Sequence, residues 1–320
     1  MRPALATPPS PDPRMPLFYH DLYTDGVHPA ARFPRERYRL LAERLRAAPY
    51  AELLRVEEAP LATREELLLA HDPTYVDRFL GGELSEQEAR RIGLRPWTPL
   101  LIPRTLRIMG AALEALRRVA RHGGVAANMA GGTHHAHRDW GSGFCVFNDI
   151  ALCARLAPSL GFRRVAVIDL DVHQGDGTAT LLEGDEGVLT ISVHCHHNFP
   201  FRKAKSHLDL TLSRGAGDVE YIATLYEALD AARAHAPDLV LYQAGVDPLA
   251  SDALGLLALT HHGLAERDRL VFELCAELRA PCVVFMGGGY SAPISESVEA
   301  FVALFEEAAR AHRRWGEARP

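Results

Sequence analysis

The sequence predicts an α/β fold: a single domain built on a parallel sheet with helices on both faces. Short apolar runs alternate along the chain with longer segments in which apolar residues recur at helical spacing, the pattern of parallel strands joined by helices. The strand candidates are apolar at successive positions, as expected of strands covered on both faces. No repeat, linker or low-complexity segment divides residues 17–320, so we expect one domain there.

The amino-terminal segment, residues 1–16, is rich in proline and lacks the apolar core of a signal peptide, so we expect a disordered tail. A short strand is predicted at residues 17–20, and an amphipathic helix follows at about residues 35–48. Arg37, which lies on that helix, could face a pocket, but we expect a surface position.

The next part of the chain contains two further helix signals. Asp72 is placed to cap a helix whose first residue is Pro73. Residues 84–103 are polar and interrupted by prolines, which indicates a surface loop with short helical turns. Apolar residues recur at helical spacing over residues 105–121, and two glycines end that helix.

The second half of the chain alternates regularly between strands and helices, as a parallel sheet requires. Strands are predicted in the apolar run that begins at residue 165 and at residues 125–130, 187–193, 239–244 and 282–286. Helices are predicted at residues 148–156, 221–235 and 264–278.

Composition and charge exclude several classes of function. With 35 basic and 41 acidic residues the chain has no basic stripe, so nucleic acid is not an expected partner. No segment approaches the length of a membrane span, so no membrane partner is expected. The chain has five cysteines, an odd number, and no C-x-x-C motif. This pattern does not indicate a disulfide framework and therefore favours a reducing cytoplasm.

Polar residues collect at the end of the strand that begins at residue 165, in the sequence D-L-D-V-H-Q-G-D-G. Open α/β sheets bind ligands at this end of their strands. Side chains two residues apart in extended backbone project to one side, so Asp171 and His173 can converge on one point, with Asp169 starting the same row. A carboxylate and an imidazole there suit a divalent metal such as zinc. The alternative is a polar loop in which an aspartate caps a helix.

A third candidate ligand, Asp247, follows the strand at residues 239–244. Taken alone, it could equally be a turn residue. Beside Asp171 and His173 it would complete a set of two carboxylates and one imidazole. Such a set leaves zinc an open position, as a catalytic site requires.

Two adjacent histidines, His134 and His135, follow a pair of glycines at the end of another strand. A single histidine is commonly a hydrogen-bonded core or surface residue, but two at this place are candidates for proton transfer near neutral pH. Asp169 and Asp176 could each accept a hydrogen bond from one of these imidazoles and so tune its basicity.

The last strong strand ends in three glycines and Tyr290. Consecutive glycines allow the backbone to approach a ligand closely, and a tyrosine hydroxyl can donate to a developing oxyanion. The alternative is a glycine turn with a packed tyrosine.

Five motifs, in this order, resemble those of the zinc-dependent histone deacetylase superfamily, which also includes acetylpolyamine amidohydrolases and acetoin-utilisation proteins. They are G-G-T-H-H-A, G-F-C-x-x-N-D, D-L-D-V-H-Q-G-D-G, Q-A-G-V-D-P-L and G-G-G-Y. The resemblance extends over about residues 17–299 and implies an arginase/deacetylase-type fold with about eight parallel strands. Gln174 and the sequence N-F-P at residues 198–200 resemble the class IV branch and its bacterial relatives, whereas Thr133 replaces an aromatic residue common in the family.

The resemblance implies a role for each candidate residue. One Zn²⁺ per chain would be bound by Asp171, His173 and Asp247. His135, oriented by Asp176, would act as general base toward the attacking water and then protonate the leaving amine. His134, paired with Asp169, would supply electrostatic support.

The same resemblance implies a substrate tunnel and a second ion. Tyr290 would donate to the oxyanion. The alkyl stem of an acylated amine would pass through a narrow tunnel lined by Gly143, Phe144 and Phe199. A monovalent cation, K⁺ or Na⁺, is expected at the backbone carbonyls of Asp169, Asp171 and His173 and the hydroxyl of Ser192.

We therefore expect a cytoplasmic, zinc-dependent amidohydrolase that removes an acyl group from the side-chain amine of acyl-lysine in a protein or peptide. The alternative within the enzymes is a deacylase of small acylated amines such as acetylpolyamines. A module that binds acyl-lysine without hydrolysing it would have to lack a catalytic group, and the sequence has all of them. Neither the preferred acyl-chain length nor the oligomeric state is indicated by the sequence.

Overall fold

Eight parallel strands form one continuous sheet at the centre of the protein. The structure, a computed structural model, describes residues 12–317. The strands are β1 Met15–Tyr19, β2 Leu54–Glu58, β3 Val125–Asn128, β4 Val165–Asp169, β5 Val188–Cys195, β6 Leu208–Leu212, β7 Leu239–Gln243 and β8 Cys282–Phe285. Their order across the sheet is β2-β1-β3-β8-β7-β4-β5-β6, and every neighbouring pair is parallel. The predicted parallel sheet of about eight strands is confirmed.

The described part of the chain also contains eleven α-helices, of which all but the last connect strands. They are α1 Leu22–Asp25, α2 Glu36–Arg46, α3 Arg64–Leu67, α4 Pro73–Leu80, α5 Glu86–Ile92, α6 Leu101–His122, α7 Asp149–Leu156, α8 Asp176–Leu181, α9 Asp218–His235, α10 His261–Leu278 and α11 Ile294–Glu317. Across residues 12–317, none of these helices has the length and apolar character needed to cross a bilayer.

Local chemistry explains where two of these helices begin. The side chain of Asp72 accepts hydrogen bonds from the backbone N–H groups of Thr74 and Tyr75, so it caps α4 as predicted. Helix α6 begins four residues before the predicted start because Pro103 lies in its first turn, where no backbone N–H is required.

The last five residues of the expected amino-terminal tail, residues 12–16, are part of the described structure. Met15 pairs with Leu54 at the start of the β1–β2 ladder. Asp12 accepts a hydrogen bond from the guanidinium of Arg55 at 2.9 Å, which ties this segment to the neighbouring strand. The first eleven residues lie outside the described residues.

The register of the sheet brings several strand ends to one place. Asp169, the last residue of β4, is paired with Ser192 of β5 on one side and Gln243 of β7 on the other. Gln243 is in turn paired with Phe285 of β8. The loops that follow β4, β7 and β8 therefore leave the sheet side by side, at the edge where α/β proteins bind ligands.

Candidate active site

The three predicted zinc ligands lie together in one buried corner beyond the ends of β4 and β7. Nδ1 of His173 lies 3.0 Å from Oδ1 of Asp171 and 3.2 Å from Oδ2 of Asp247. One ligand atom from each residue lies within 4.8 Å of the other two. In the described part of the chain this is the only group of three or more such side chains close enough to share a metal ion.

Both carboxylates are held in place by further hydrogen bonds. Oδ2 of Asp171 accepts from the side-chain amide of Gln243 at 2.8 Å and from the backbone N–H of Gly288 at 3.0 Å. Oδ1 of Asp247 accepts from the backbone N–H of Val172 at 2.9 Å. These contacts orient the remaining carboxylate oxygens toward His173.

The electrostatics of this corner favour a cation. Burial acts to lower the pKa of His173, but hydrogen bonds and attraction from Asp171 and Asp247 outweigh it and raise that pKa to about 10. Burial and the neighbouring Asp171 raise the pKa of Asp247 to about 7. Two adjacent buried carboxylates with an imidazole nitrogen beside them form a donor set that fits Zn²⁺.

Next to this corner lie two histidine–aspartate pairs. Nδ1 of His134 lies 2.7 Å from Oδ2 of Asp169, and Nδ1 of His135 lies 2.7 Å from Oδ1 of Asp176. All four side chains are buried, and the two imidazole centroids are 4.1 Å apart. The pairing predicted from the sequence is therefore the arrangement that the structure contains.

The two imidazoles differ in basicity although they are adjacent. Burial acts to lower the pKa of His134, but attraction from Asp169 and Asp171 outweighs it and raises the pKa to about 9. Burial, with repulsion from His134 as the next cause, lowers the pKa of His135 to about 4. The surroundings therefore favour a proton on His134 and keep His135 a neutral imidazole, whose Nε2 is available to accept a proton.

A cavity of about 520 Å³ runs past these residues, and all three predicted tunnel residues line it. Phe199 packs against His135 with ring centroids 4.9 Å apart. Phe144 is held at φ +67° by a hydrogen bond from its N–H to the carbonyl of Ile92. A side chain at Gly143 would place its Cβ 2.5 Å from the imidazole of His135, so only glycine fits there.

Tyr290 also lines the cavity, beyond the glycines that follow β8. Its backbone N–H donates to Oδ2 of Asp252 at 2.6 Å, which fixes the position of the residue. Burial raises the pKa of its hydroxyl well above the usual value, so the group remains a hydrogen-bond donor at neutral pH. Gly288 is required nearby because a Cβ there would lie 2.0 Å from Oδ2 of Asp247.

The expectation that Arg37 lies on the surface is wrong. Arg37 is 2% exposed, and its guanidinium donates to the carbonyls of Gly287 and Gly289 at 3.1 and 2.9 Å. These carbonyls belong to the segment after β8 and offer buried acceptors that the sequence around Arg37 does not reveal. One available signal was helical spacing, since Arg37 shares a face of α2 with the buried Leu41 and Leu45.

Asn198 is a second residue whose part in the site the sequence did not identify. Its Nδ2 donates to the carbonyl of Leu254 at 2.8 Å, and its Oδ1 accepts from the N–H of Leu256 at 3.0 Å. The same Nδ2 lies 3.4 Å from Nε2 of His173. Asn198 thereby fixes the loop after β7 against the metal corner.

Two of the predicted residues of the monovalent-cation site are neighbours in the sheet, and Asp171 and His173 lie in the loop that follows β4. Ser192 is paired with Asp169 across β4 and β5, and its hydroxyl lies 2.9 Å from Nδ1 of His194. The cation site itself remains a prediction.

Comparison with known proteins identifies the family. Residues 31–305 match the family model described as the histone deacetylase domain. The chain is 40% identical to an uncharacterised protein of Picosynechococcus sp., over 88% of this chain and 94% of that protein. It is 31% identical to histone deacetylase 2 of Arabidopsis thaliana, over 88% of this chain and 76% of that protein.

Two further similarities agree with this match. The chain is 30% identical to the acetoin utilization protein AcuC of Staphylococcus aureus, over 82% of this chain and 74% of that protein. The crystal structure of the HDA15 HD domain has the same fold, with a TM-score of 0.77 at 21% identity, and the match covers 93% of this chain and 90% of that one. The chain therefore belongs to the histone deacetylase family.

Proposed function

We propose that this protein is a zinc-dependent amidohydrolase that removes an acyl group from the side-chain amine of acyl-lysine. One observation carries the proposal: a carboxylate–imidazole–carboxylate corner and a neutral buried imidazole, His135, lie in the same cavity. Amide hydrolysis needs an activated water, an acid for the leaving amine and a place for negative charge, and residues of this cavity can meet each need.

Asp171, His173 and Asp247 would bind the metal ion. When bound, Zn²⁺ would act as a Lewis acid that polarises the amide carbonyl and lowers the pKa of water to about 7. The hydrogen bonds from Gln243 and Gly288 to Asp171 keep that ligand from turning away.

His135 would transfer the proton. As a neutral imidazole it can accept a proton from the attacking water at Nε2 and then donate it to the nitrogen of the leaving amine. Asp176, 2.7 Å from Nδ1, keeps the ring oriented and stabilises the imidazolium that forms between these two steps. His134, cationic beside Asp169, would offset part of the negative charge that develops.

Tyr290 would donate its hydroxyl proton in a hydrogen bond to the oxyanion. Its raised pKa keeps this proton in place at neutral pH, and one such donor contributes roughly 3–4 kcal/mol to transition-state stabilisation. Gly143, Phe144 and Phe199 would surround the alkyl stem of the substrate, since small and aromatic groups in the cavity offer it an apolar path.

A K⁺ or Na⁺ ion would bind near the carbonyls of Asp169, Asp171 and His173 and the hydroxyl of Ser192, where it would stabilise the β4 loop. The pairing of Asp169 with Ser192 supports this part of the proposal. A cytoplasmic location is proposed from the cysteine count in the sequence.

The test is an assay of the zinc-loaded protein on an acetyl-lysine peptide, the same peptide with a longer fatty-acyl group, and an acetylated polyamine. We expect hydrolysis of acyl-lysine, inhibited by a hydroxamate that binds zinc. Equal rates on the free acetylated polyamine would remove the preference for protein substrates. Absence of amide hydrolysis on all three would refute the proposed function.

A further inference from the structure

The mouth of the cavity has a cation with no acidic partner. Arg91, in the last turn of α5, lines the cavity and is exposed. The other arginines of α4 and α5 are paired, Arg90 with Glu86 at 2.6 Å and Arg78 with Glu88. Among the described residues, no carboxylate lies within ion-pair distance of the Arg91 guanidinium.

The position of Arg91 is set by an aromatic support. Its guanidinium carbon lies 5.0 Å from the ring centroid of Trp140, a cation–π contact. Trp140 is itself stacked on His137, with ring centroids 3.8 Å apart and planes inclined by 15°. Nε2 of His137 is held 3.2 Å from Asp176. A chain of contacts through Trp140 and His137 therefore links the Arg91 guanidinium to Asp176 in the active site. None of these contacts pairs the positive charge of Arg91 with a carboxylate.

The rest of the cavity adds no acid to balance this charge. In the described part of the chain, the only carboxylates that line the cavity are Asp171 and Asp247, which are buried and would bind the metal. Two exposed side chains in the lining are large and apolar: Phe201 is 91% exposed and Leu254 is 46% exposed. At the mouth a cationic substrate would meet Arg91, the exposed imidazole of His197 and apolar surface.

We propose that Arg91 selects acyl-lysine substrates that carry an acidic side chain beside the acyl-lysine, and that it disfavours polycationic acylated amines. This inference rests on the proposed deacylase function and specifies its substrate class. An arginine without a partner gains a charge-assisted, bidentate hydrogen bond from a carboxylate, whereas an ammonium group in the same place is repelled.

The experiment uses three peptides that differ only in the residue next to acetyl-lysine, which is Glu, Gln or Lys. The zinc-loaded protein is assayed at low ionic strength for kcat/KM, and peptide affinity is measured separately by fluorescence anisotropy. We expect kcat/KM for the Glu peptide to exceed that for the Lys peptide by about tenfold, a ratio that shrinks as salt is added. Arg91→Gln should bring the ratio close to one, and Arg91→Glu should invert it and improve hydrolysis of an acetylated polyamine.

Arg90→Gln is the matched control, because Arg90 precedes Arg91 on the same helix but does not line the cavity. It should leave the Glu-to-Lys ratio unchanged. Hydrolysis of all three peptides at one rate, unaffected by Arg91→Gln, would overturn the inference and leave the deacylase proposal standing. If no peptide is hydrolysed, the deacylase proposal fails, and affinity then decides the inference. Tighter binding of the Glu peptide than of the Lys peptide, lost in Arg91→Gln, supports the inference. Equal binding of the peptides, or no detectable binding, overturns it.

Discussion

His137 binds the same carboxylate as the proposed general base: its Nε2 lies 3.2 Å from Oδ2 of Asp176. The other oxygen of Asp176 is bound by His135 at 2.7 Å. Burial acts to raise the pKa of Asp176, but the hydrogen bonds from these two imidazoles outweigh it and hold the pKa below its usual range. One oxygen of Asp176 therefore contacts the proposed general base, and the other contacts His137.

Replacing His137 should change the basicity of His135. In His137→Leu, Asp176 loses a donor, so its charge acts more strongly on His135 and raises the pKa of that imidazole. His135 would then be protonated at higher pH, and the acid limb of the kcat/KM profile should shift to higher pH. On the acid limb, kcat/KM should fall by about tenfold for each unit of that shift, equivalent to about 1.4 kcal/mol, whereas kcat/KM near neutral pH, where His135 stays deprotonated, should change little.

His137→Gln is the conservative control, since its side-chain amide can still donate to Asp176. It should restore most of the activity and return the acid limb toward its wild-type position. A His137→Leu profile that falls in height at every pH without shifting would contradict this role and indicate a structural effect alone.

Metal binding and catalysis should separate in two alanine variants. Asp171→Ala removes one of the two carboxylates of the metal corner and should reduce zinc content from about one ion per chain to almost none. His135→Ala leaves all three ligands and should retain zinc while it loses most activity on an acetyl-lysine peptide. Zinc content is measured by elemental mass spectrometry, with Asp230→Ala, an exposed carboxylate paired with Arg233, as the control.

Full activity in His135→Ala would show that another group accepts the proton. Equal zinc content in Asp171→Ala and the wild type would show that the metal is bound elsewhere. Retention of peptide binding without turnover in the wild-type protein would instead favour a module that recognises acyl-lysine.

Removing one hydroxyl tests the proposed oxyanion donor. Tyr290→Phe keeps the ring and its packing against Phe144, whose centroid is 5.8 Å away, but loses the O–H donor. We expect kcat to fall by about 10²–10³ with KM nearly unchanged, because the lost hydrogen bond forms in the transition state. Tyr226→Phe, at an exposed tyrosine of α9, is the control. A loss confined to KM would place Tyr290 in substrate binding only.

The fold could be predicted from the sequence to the extent that its elements are buried. The central strands β4, β7 and β8 are buried throughout and apolar except for the last residues of β4 and β7, so the sequence predicts them clearly. The edge strands β2 and β6 were not predicted, because their alternating apolar and polar residues resemble many exposed segments. Helix α11 is also absent from the predicted elements, although the helical spacing of its apolar residues was available as a signal.

The site divides in a similar way. Asp171 and His173 are two residues apart, in the bend just beyond β4 rather than in extended backbone, and the backbone N–H of His173 donates to Oδ1 of Asp171 at 3.0 Å, so local contacts bring them together. Arg37 could not be placed from its neighbours alone, because its partners are carbonyl groups about 250 residues away that only the finished sheet brings near. Asn198 is similar, since its role depends on the backbone of the loop after β7.

Acid should destabilise the fold through one buried histidine outside the catalytic residues. Nε2 of His71 accepts a hydrogen bond from the backbone N–H of Asn148 at 2.9 Å, so its proton resides on Nδ1 and is donated to the carbonyl of His137 at 3.0 Å. Protonation of Nε2 would place its N–H against the backbone N–H of Asn148, so that this hydrogen bond would be lost. Burial lowers the pKa of His71 from 6.5 to about 4.

Because the unfolded chain binds a proton at His71 below about pH 6.5 and the folded chain does so only near pH 4, the free energy of unfolding falls as pH falls through this window. The full effect amounts to about 3 kcal/mol, and the slope approaches about 1.4 kcal/mol per pH unit. In His71→Gln the amide oxygen can still accept from Asn148 but takes up no proton, so this part of the slope should disappear.

The measurement is urea-induced unfolding at several pH values between 4.5 and 7, in a chelator so that metal binding adds no pH dependence of its own. Wild type and His71→Gln share every other titrating group, so the difference between their slopes isolates His71. His196→Gln, which removes an exposed imidazole, should leave the wild-type slope in place. Parallel slopes for wild type and His71→Gln would mean that His71 is protonated in the folded protein without loss, and that the Asn148 hydrogen bond does not hold it neutral.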